Sequence, residues 1–231
     1  MPRVSIVVPV LNEAAGIVAH LAALQPLRRR GHEVIVADGG SADGTAALAA
    51  GLSDAVVRAP RGRAAQMNAG AALARGEVLL FLHADTRLPE EADRLVLDGL
   101  AAGGRAWGRF DVSIDGRHPW LKAIAWCMNR RSRWTGIATG DQALFVRREA
   151  FEASGGFPDI PLMEDIAYSR ILKSFGPPLC LAARVATSGR RWEKRGVLRT
   201  VLLMWRLRLA YFCGADPAHL ARAYGYEPRQ S

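Results

Sequence analysis

The sequence predicts an α/β fold, a mostly parallel sheet flanked by helices, and three observations carry that reading. Short β-rich runs alternate with helical patterns through the first half of the chain. The opening run, Val4-Ser5-Ile6-Val7-Val8, is almost wholly apolar, as a strand covered on both faces must be. Polar, glycine-rich segments follow directly on the strand ends, which is where ligands bind in sheets of this kind.

The elements follow in order. Strand-like runs cover residues 4–8, 33–37, 55–57 and 77–82. Between the first two, Ile17, Leu21 and Leu24 recur at helical spacing, with Asn12 placed as the N-cap. Residues 64–74 read as an Ala-rich helix closed by Gly76. Past residue 105 the pattern changes and is mixed: the run 107–114, an aromatic and basic stretch at 120–134, a strand-like run at 143–146 and a helix at about 164–175. This second half is expected to extend the same sheet.

With 231 residues, 50% of them apolar, the chain can bury a large core, and its length suits one domain, 1–231, with a tail. No internal repeat or low-complexity segment is apparent. The three cysteines, Cys127, Cys180 and Cys213, have no short metal-ligand spacing and fit a reducing compartment. The N-terminus lacks the marks of a signal peptide, so a cytoplasmic location is expected. Of the net charge of +9, residues 184–231 supply ten Arg or Lys against three acids, or +7. Basicity is thus a property of the tail, and nucleic-acid binding is not expected.

Three polar clusters follow the strands: Asn12-Glu13, the run from Asp38 to Thr45, and His83-Ala84-Asp85-Thr86. All three fall on one rim. The first strand-to-helix turn carries neither a G-x-G-x-x-G fingerprint nor a Walker lysine, so a dinucleotide or P-loop site is not supported.

Taken in order, the residues resemble the family 2 glycosyltransferases of the GT-A fold. The matching pieces are the first strand through Pro9 with Asn12-Glu13, the Asp38-Gly-Gly-Ser-x-Asp-Gly-Thr45 loop, Arg61 with Gln66 and Asn68, and residues 76–86. Gly140-Asp141-Gln142 and Gly155-Gly156-Phe157 leading to Glu164-Asp165 complete the set. The resemblance implies a Rossmann-like sheet and a nucleotide diphosphate sugar as donor. Residues 1–105 would form the donor half, 106–190 the acceptor half and 191–231 a basic amphipathic tail.

By the same resemblance, Pro9, Asn12, Glu13, Asp38, Ser41 and Asp43 would hold the nucleoside. Asp38 and Ser41 seen alone would read as a tight turn that satisfies its own backbone. Arg61, Gln66 and Asn68 would reach the donor, Arg61 at the diphosphate, while Arg63 reads equally as solvated surface. Asp85 would bind a divalent metal, Mg2+ or Mn2+, that neutralises the leaving diphosphate. His83 stands where the acidic motif usually starts and, with Ala84, would flank the donor or simply end the strand. Asp165 would be the catalytic base and Glu164 a positioning residue, in an inverting single displacement. Two acids opening a helix would otherwise be read as complements to its dipole. Gly140, Asp141 and Gln142 would face the acceptor, and Arg191 and Trp192 the pyrophosphate. Two rival classes stay open, a nucleotidyltransferase and a non-catalytic nucleotide-sugar binder.

Residues 197–213 are apolar but interrupted by Arg199, Arg206 and Arg208, too basic to span a bilayer. Arg195, Arg199 and Arg206 share one helical face and Arg208 falls opposite. The segment reads either as an interfacial helix on anionic lipid or as a core helix with a snorkelling arginine. The first reading makes a lipid or carotenoid-type acceptor attractive.

Overall fold

A computed structural model of the chain describes residues 3–226, without the side chains of Arg191, Lys194 and Arg195. Strands β1 (Val4–Val10), β2 (Glu33–Asp38), β3 (Ala55–Arg58) and β4 (Val78–Phe81) are parallel and lie in the order β3-β2-β1-β4. Helices α1 (Ala14–Arg29), α2 (Thr45–Ala50) and α3 (Arg63–Leu73) connect them. Every residue of β1, β2 and β4 is buried, because side chains alternate between two covered faces. Val4, Ile6, Val8 and Val10 pack on Ile17, Leu21 and Leu24 of α1. Val7 and Ile35 point the other way, onto Ala64, Met67 and Ala71 of α3.

The second half does extend this sheet, in the order β3-β2-β1-β4-β7-β6-β8-β5. Strand β7 (Phe145–Arg147) is antiparallel to β4 and to β6 (Trp107–Asp115). Strand β8 (Leu179–Ser188) is parallel to β6, and the short β5 (Thr86–Arg87) closes the edge antiparallel to β8. Among the described residues seven further α-helices follow: α4 (Ala92–Gly103), α5 (Trp120–Thr135), α6 (Arg148–Ala153), α7 (Glu164–Leu172), α8 (Arg190–Arg195), α9 (Val197–Phe212) and α10 (Pro217–Tyr224). The expected helix at 164–175 is α7 continued by a 3-10 turn, Lys173–Phe175.

A buried ionic group fastens α5 to β6. Arg109, fully buried in the middle of β6, donates through Nη1 to Asp111, through Nε to Ser132 Oγ at 3.0 Å and through Nη2 to the Asn129 carbonyl at 3.3 Å. Arg133 of α5 donates to the other oxygen of Asp111 at 2.7 Å.

Two local expectations are corrected. Asn12 is not the N-cap of α1; it holds a left-handed φ of 55° and its Oδ1 accepts from the Ala42 N–H at 2.9 Å. The free N–H of Ala14 at the helix start goes instead to Asp43 Oδ2, 2.9 Å away on the neighbouring loop. Gly76 does not close α3, whose C-cap is Ala74 in extended conformation. A Cβ at Gly76 would lie 2.6 Å from the Arg3 carbonyl oxygen and 2.7 Å from the Ser5 nitrogen, so glycine is required there by the close approach of β1.

Candidate active site

The carboxyl ends of β1, β2 and β4 bring the three polar clusters to one rim. A cleft of about 220 Å³ opens beside them, walled by Pro9, Glu13, His83, Ala84 and Asp85 on the strand side. Arg63, Gln66 and Glu164 line its interior, and Tyr224, Gly225 and Tyr226 form a wall from the end of the chain.

The loop after β2 is held by its own polar atoms. Asp38 accepts from the N–H groups of Gly40 and Ser41 at 3.2 and 3.1 Å and from the Ser41 hydroxyl. Ser41 Oγ in turn accepts from the Asn12 N–H at 2.9 Å, tying the ends of β1 and β2 together. Asp43 accepts from the Thr45 hydroxyl at 2.5 Å and from Ala14, and these bonds hold its carboxyl below the usual range. Asn12, Asp38, Ser41 and Asp43 therefore form one rigid ledge beside the cleft.

Two groups of charge face each other across the site. Glu13 is held above its ordinary value by burial first and then by the charge of Asp85, with Arg190 and Arg63 acting against the shift. On the opposite side, Glu164 and Asp165 open α7. Glu164 is buried and pushed up to about 7, by burial and then by Asp165, with Arg63 and His83 lowering it. Asp165 is half-buried; Oδ2 accepts from the Gly140 N–H at 2.9 Å and Oδ1 from the Ile166 N–H at 2.7 Å. Burial raises it as well, against the pull of those two bonds. Arg63 answers this acid group, since the charges of Glu164, Asp141 and Asp165 raise it despite desolvation.

Gly140 leaves room for His83: a Cβ there would lie 2.3 Å from His83 Cε1, so the imidazole packs against the backbone that holds Asp165 and any larger residue would displace it. His83 Nδ1 also lies 3.4 Å from Asp141 Oδ1. The residue that departs from the family's acidic motif thus touches the loop that positions the base candidate.

The elevated Glu164 has a consequence for stability. Its folded value of about 7 lies above the ordinary 4.5, so the neutral form supports the fold fully below 4.5 and that support is lost as pH rises through 7. Glu164→Gln, neutral at every pH, should therefore exceed the parent by about 1–3 kcal/mol at pH 8, with the gap closing toward pH 4.5. Denaturant melts at the two pH values measure it; a gap that does not change with pH would refute it.

Other predicted residues serve as braces. Gln66 Nε2 donates to the carbonyls of Val10 and Ala37 at 2.7 and 2.9 Å, clamping the ends of β1 and β2. Asn68 makes a reciprocal pair with the backbone of Phe157 at 2.8 and 2.9 Å. Gln142, fully buried, accepts from the Thr139 N–H at 3.2 Å and closes its own turn. Arg61 is exposed, its guanidinium 5.4 Å from the centre of the Tyr226 ring. Trp192 packs in the cluster of Ile114, Leu121, Ala125 and Val197, away from the cleft walls, and the Arg191 side chain lies outside the described residues. Arg63, which the sequence leaves open between donor contact and solvated surface, lines the cleft, as do Tyr224 and Tyr226, which no sequence motif marks. Arg131 of α5, which no sequence motif marks either, has its Nε and Nη2 buried without a hydrogen-bond partner among the described residues and feels the charge of Asp165.

Among the described residues no three His, Cys, Asp or Glu side chains converge as a cation cage. The mutual repulsion of Glu13 and Asp85 is nonetheless what a divalent cation relieves. One or two carboxylates completed by substrate phosphate oxygens are the ordinary set for Mg2+.

The family model for glycosyl transferase family 2 matches residues 5–157. No curated protein matches the chain. Among solved structures, S. aureus TarS 1–349 in complex with UDP superposes with a TM-score of 0.64 at 16% identity, over 80% of this chain and 60% of that one. TarS 1–349 alone gives 0.65 at 16%, over 96% and 69%. The Pyrobaculum calidifontis mannosyltransferase PcManGT, in complex with GDP-Man and Mn2+, gives 0.64 at 22% identity, over 97% and 69%. The superpositions agree with the sheet order in showing a GT-A fold. With its family model covering β1 through Phe157, the chain belongs to glycosyl transferase family 2.

Proposed function

We propose that the protein transfers a sugar, with inversion, from a nucleoside diphosphate sugar to an acceptor hydroxyl, with Asp165 as general base. The observation that carries this is Asp165 itself: half-exposed, its two oxygens fixed by backbone N–H groups and its basicity raised by burial, next to Glu164 in the cleft wall. The acceptor oxygen attacks the anomeric carbon as its proton passes to Asp165. The bond from that carbon to the diphosphate oxygen breaks in the same step, and one base is enough. Glu164, with Arg63 opposite, positions the reacting groups. Gly140, Asp141 and Gln142 shape the acceptor side, Gln142 from beneath and Gly140 through its bond to Asp165.

The nucleoside lies against Pro9, Asn12, Glu13 and the ledge of Asp38, Ser41 and Asp43, braced by Gln66 and Asn68, with His83 and Ala84 toward the sugar. Arg61, released from Tyr226, meets the diphosphate, together with the Arg190 to Trp192 element. A divalent ion held by Asp85 and Glu13 would supply charge neutralisation to the leaving diphosphate. The UDP and UDP-GlcNAc complexes of TarS and the GDP-Man and Mn2+ complex of PcManGT support this donor class and ion. Its three free cysteines fit a cytoplasmic site. No described helix is long and apolar enough to cross a membrane, and the basic helix α9 supports peripheral contact and a lipid acceptor.

The test is thermal stability with nucleoside diphosphates, with and without Mn2+, followed by product analysis. A cognate nucleoside diphosphate at 100 times its Kd should add about 2.7 kcal/mol. Turnover should release free nucleoside diphosphate. Release of inorganic pyrophosphate, or no stabilisation by any nucleoside diphosphate, would overturn the reading.

A further inference from the structure

Among the described residues twelve large hydrophobic side chains are exposed, and eight of them lie on just two helices, α5 and α9. On α9 they are Leu198, Leu202, Trp205, Leu209 and Phe212, between 56% and 69% exposed and spaced four, three, four and three apart. That spacing makes one stripe. Leu207 and Thr200, which are buried, fall on the opposite side. At about 100° per residue, Arg199 and Arg206 flank the stripe on one side and Arg208 on the other, each roughly 80–100° away. None of the three arginines pairs with an acid among the described residues.

Helix α5 repeats the theme. Lys122, Trp126, Arg130 and Trp134 follow one another at four-residue steps along one row. The Arg130 guanidinium stands 5.8 and 5.1 Å from the two indole rings, which remain 62% and 76% exposed. The two helices are linked through shared hydrophobic clusters. Val197, opening α9, shares a cluster with Leu121 and Ala125, while Leu207, further along, shares one with Ile137 just past the end of α5.

We propose that α5 and α9 form one surface that seats the protein on an anionic lipid bilayer. An apolar stripe edged by arginines, with its back packed on protein, is the build of an interfacial helix. Indole rings beside cationic side chains sit naturally at the headgroup level. A second copy of the chain is the other occupant that a four-three stripe suits. Here the charged side chains at both edges of the stripe are all arginine, so a symmetric pair would bring like charges together, whereas anionic headgroups complement them. Helix α10 packs against α9 and ends at Tyr224, which with Tyr226 lines the cleft wall, so α9 and the cleft are joined through one short helix. The inference rests on the transferase reading only for the use made of the lipid, since the contact itself is measurable without transfer.

The experiment is co-sedimentation of the full chain with vesicles of phosphatidylglycerol and phosphatidylcholine, and of phosphatidylcholine alone. The protein should bind the anionic vesicles and leave them as salt rises. Brominated lipid should quench its tryptophan fluorescence. Leu202→Ser with Trp205→Ser, and separately Trp126→Ser with Trp134→Ser, should each weaken binding roughly tenfold or more. Because these side chains are exposed, thermal melts and nucleoside diphosphate binding should be unchanged. Full binding by the α5 double variant would overturn the joint surface, as would absence of vesicle binding by the parent. A concentration-dependent dimer that the α9 substitutions dissolve would assign the stripe to a second copy instead. A transferase reading that fails would show as loss of every nucleoside diphosphate effect, with vesicle binding intact.

Discussion

Asp165→Asn is expected to lower sugar transfer by about 10²–10⁴-fold while nucleoside diphosphate affinity stays within about twofold of the parent. The substitution keeps the shape and the acceptor oxygen that one backbone N–H needs, but removes the carboxylate that takes the proton. Fold loss is not expected, because α7 is anchored separately by Ile166, Tyr168 and Leu172, all buried. The measurement is nucleoside diphosphate release with a membrane extract as acceptor source, beside calorimetric donor affinity. Glu164→Gln should reduce transfer less, since that residue only positions the reactants. Transfer by Asp165→Asn at the parent rate would remove Asp165 as base. A matching collapse of donor affinity would move it to the donor site.

What the sequence shows and what it conceals divide along physical lines. Hydrophobic runs and the polar clusters behind them are local, and both survive into the structure: β1, β2 and β4 are where the apolar runs are, and Glu13, Asp38 and Asp85 stand on one rim. Strand β8 was not foreseen because its residues are mostly half-buried or exposed and show no clean alternation; β6, with which it pairs, supplies the order. The destination of a side chain is likewise set by distant backbone. Gln66 and Asn68 belong to the motif, yet nothing nearby in sequence shows that their amides are spent on Val10, Ala37 and Phe157. Asn12 has the right residue type for an N-cap, but Asp43 reaches that position first from across the rim. Tyr224 and Tyr226 join the cleft only because the chain returns over it after α9, which periodicity cannot reveal.

The arginine-rich composition hides a buried ion pair whose loss should cost much stability. Arg109 is fully buried and Asp111 is its charged partner, so Asp111→Ala leaves a guanidinium inside with only Ser132 and the Asn129 carbonyl for company. Breaking a buried pair from one side costs about 3–5 kcal/mol, because the remaining charge has lost both water and partner. For a chain of this size that corresponds to a fall in Tm of roughly 6–20 °C. Replacing both members, Arg109→Met with Asp111→Leu, removes the stranded charge and should recover most of the loss, since well-packed apolar residues often serve as well as a buried pair. Arg133, one-third exposed, can then turn to solvent. Chemical denaturation of the parent, the single and the double variant closes the cycle. A single variant within about 1 kcal/mol of the parent would show that the buried guanidinium is satisfied by Ser132 and Asn129 alone, and that Asp111 serves chiefly to hold Arg133.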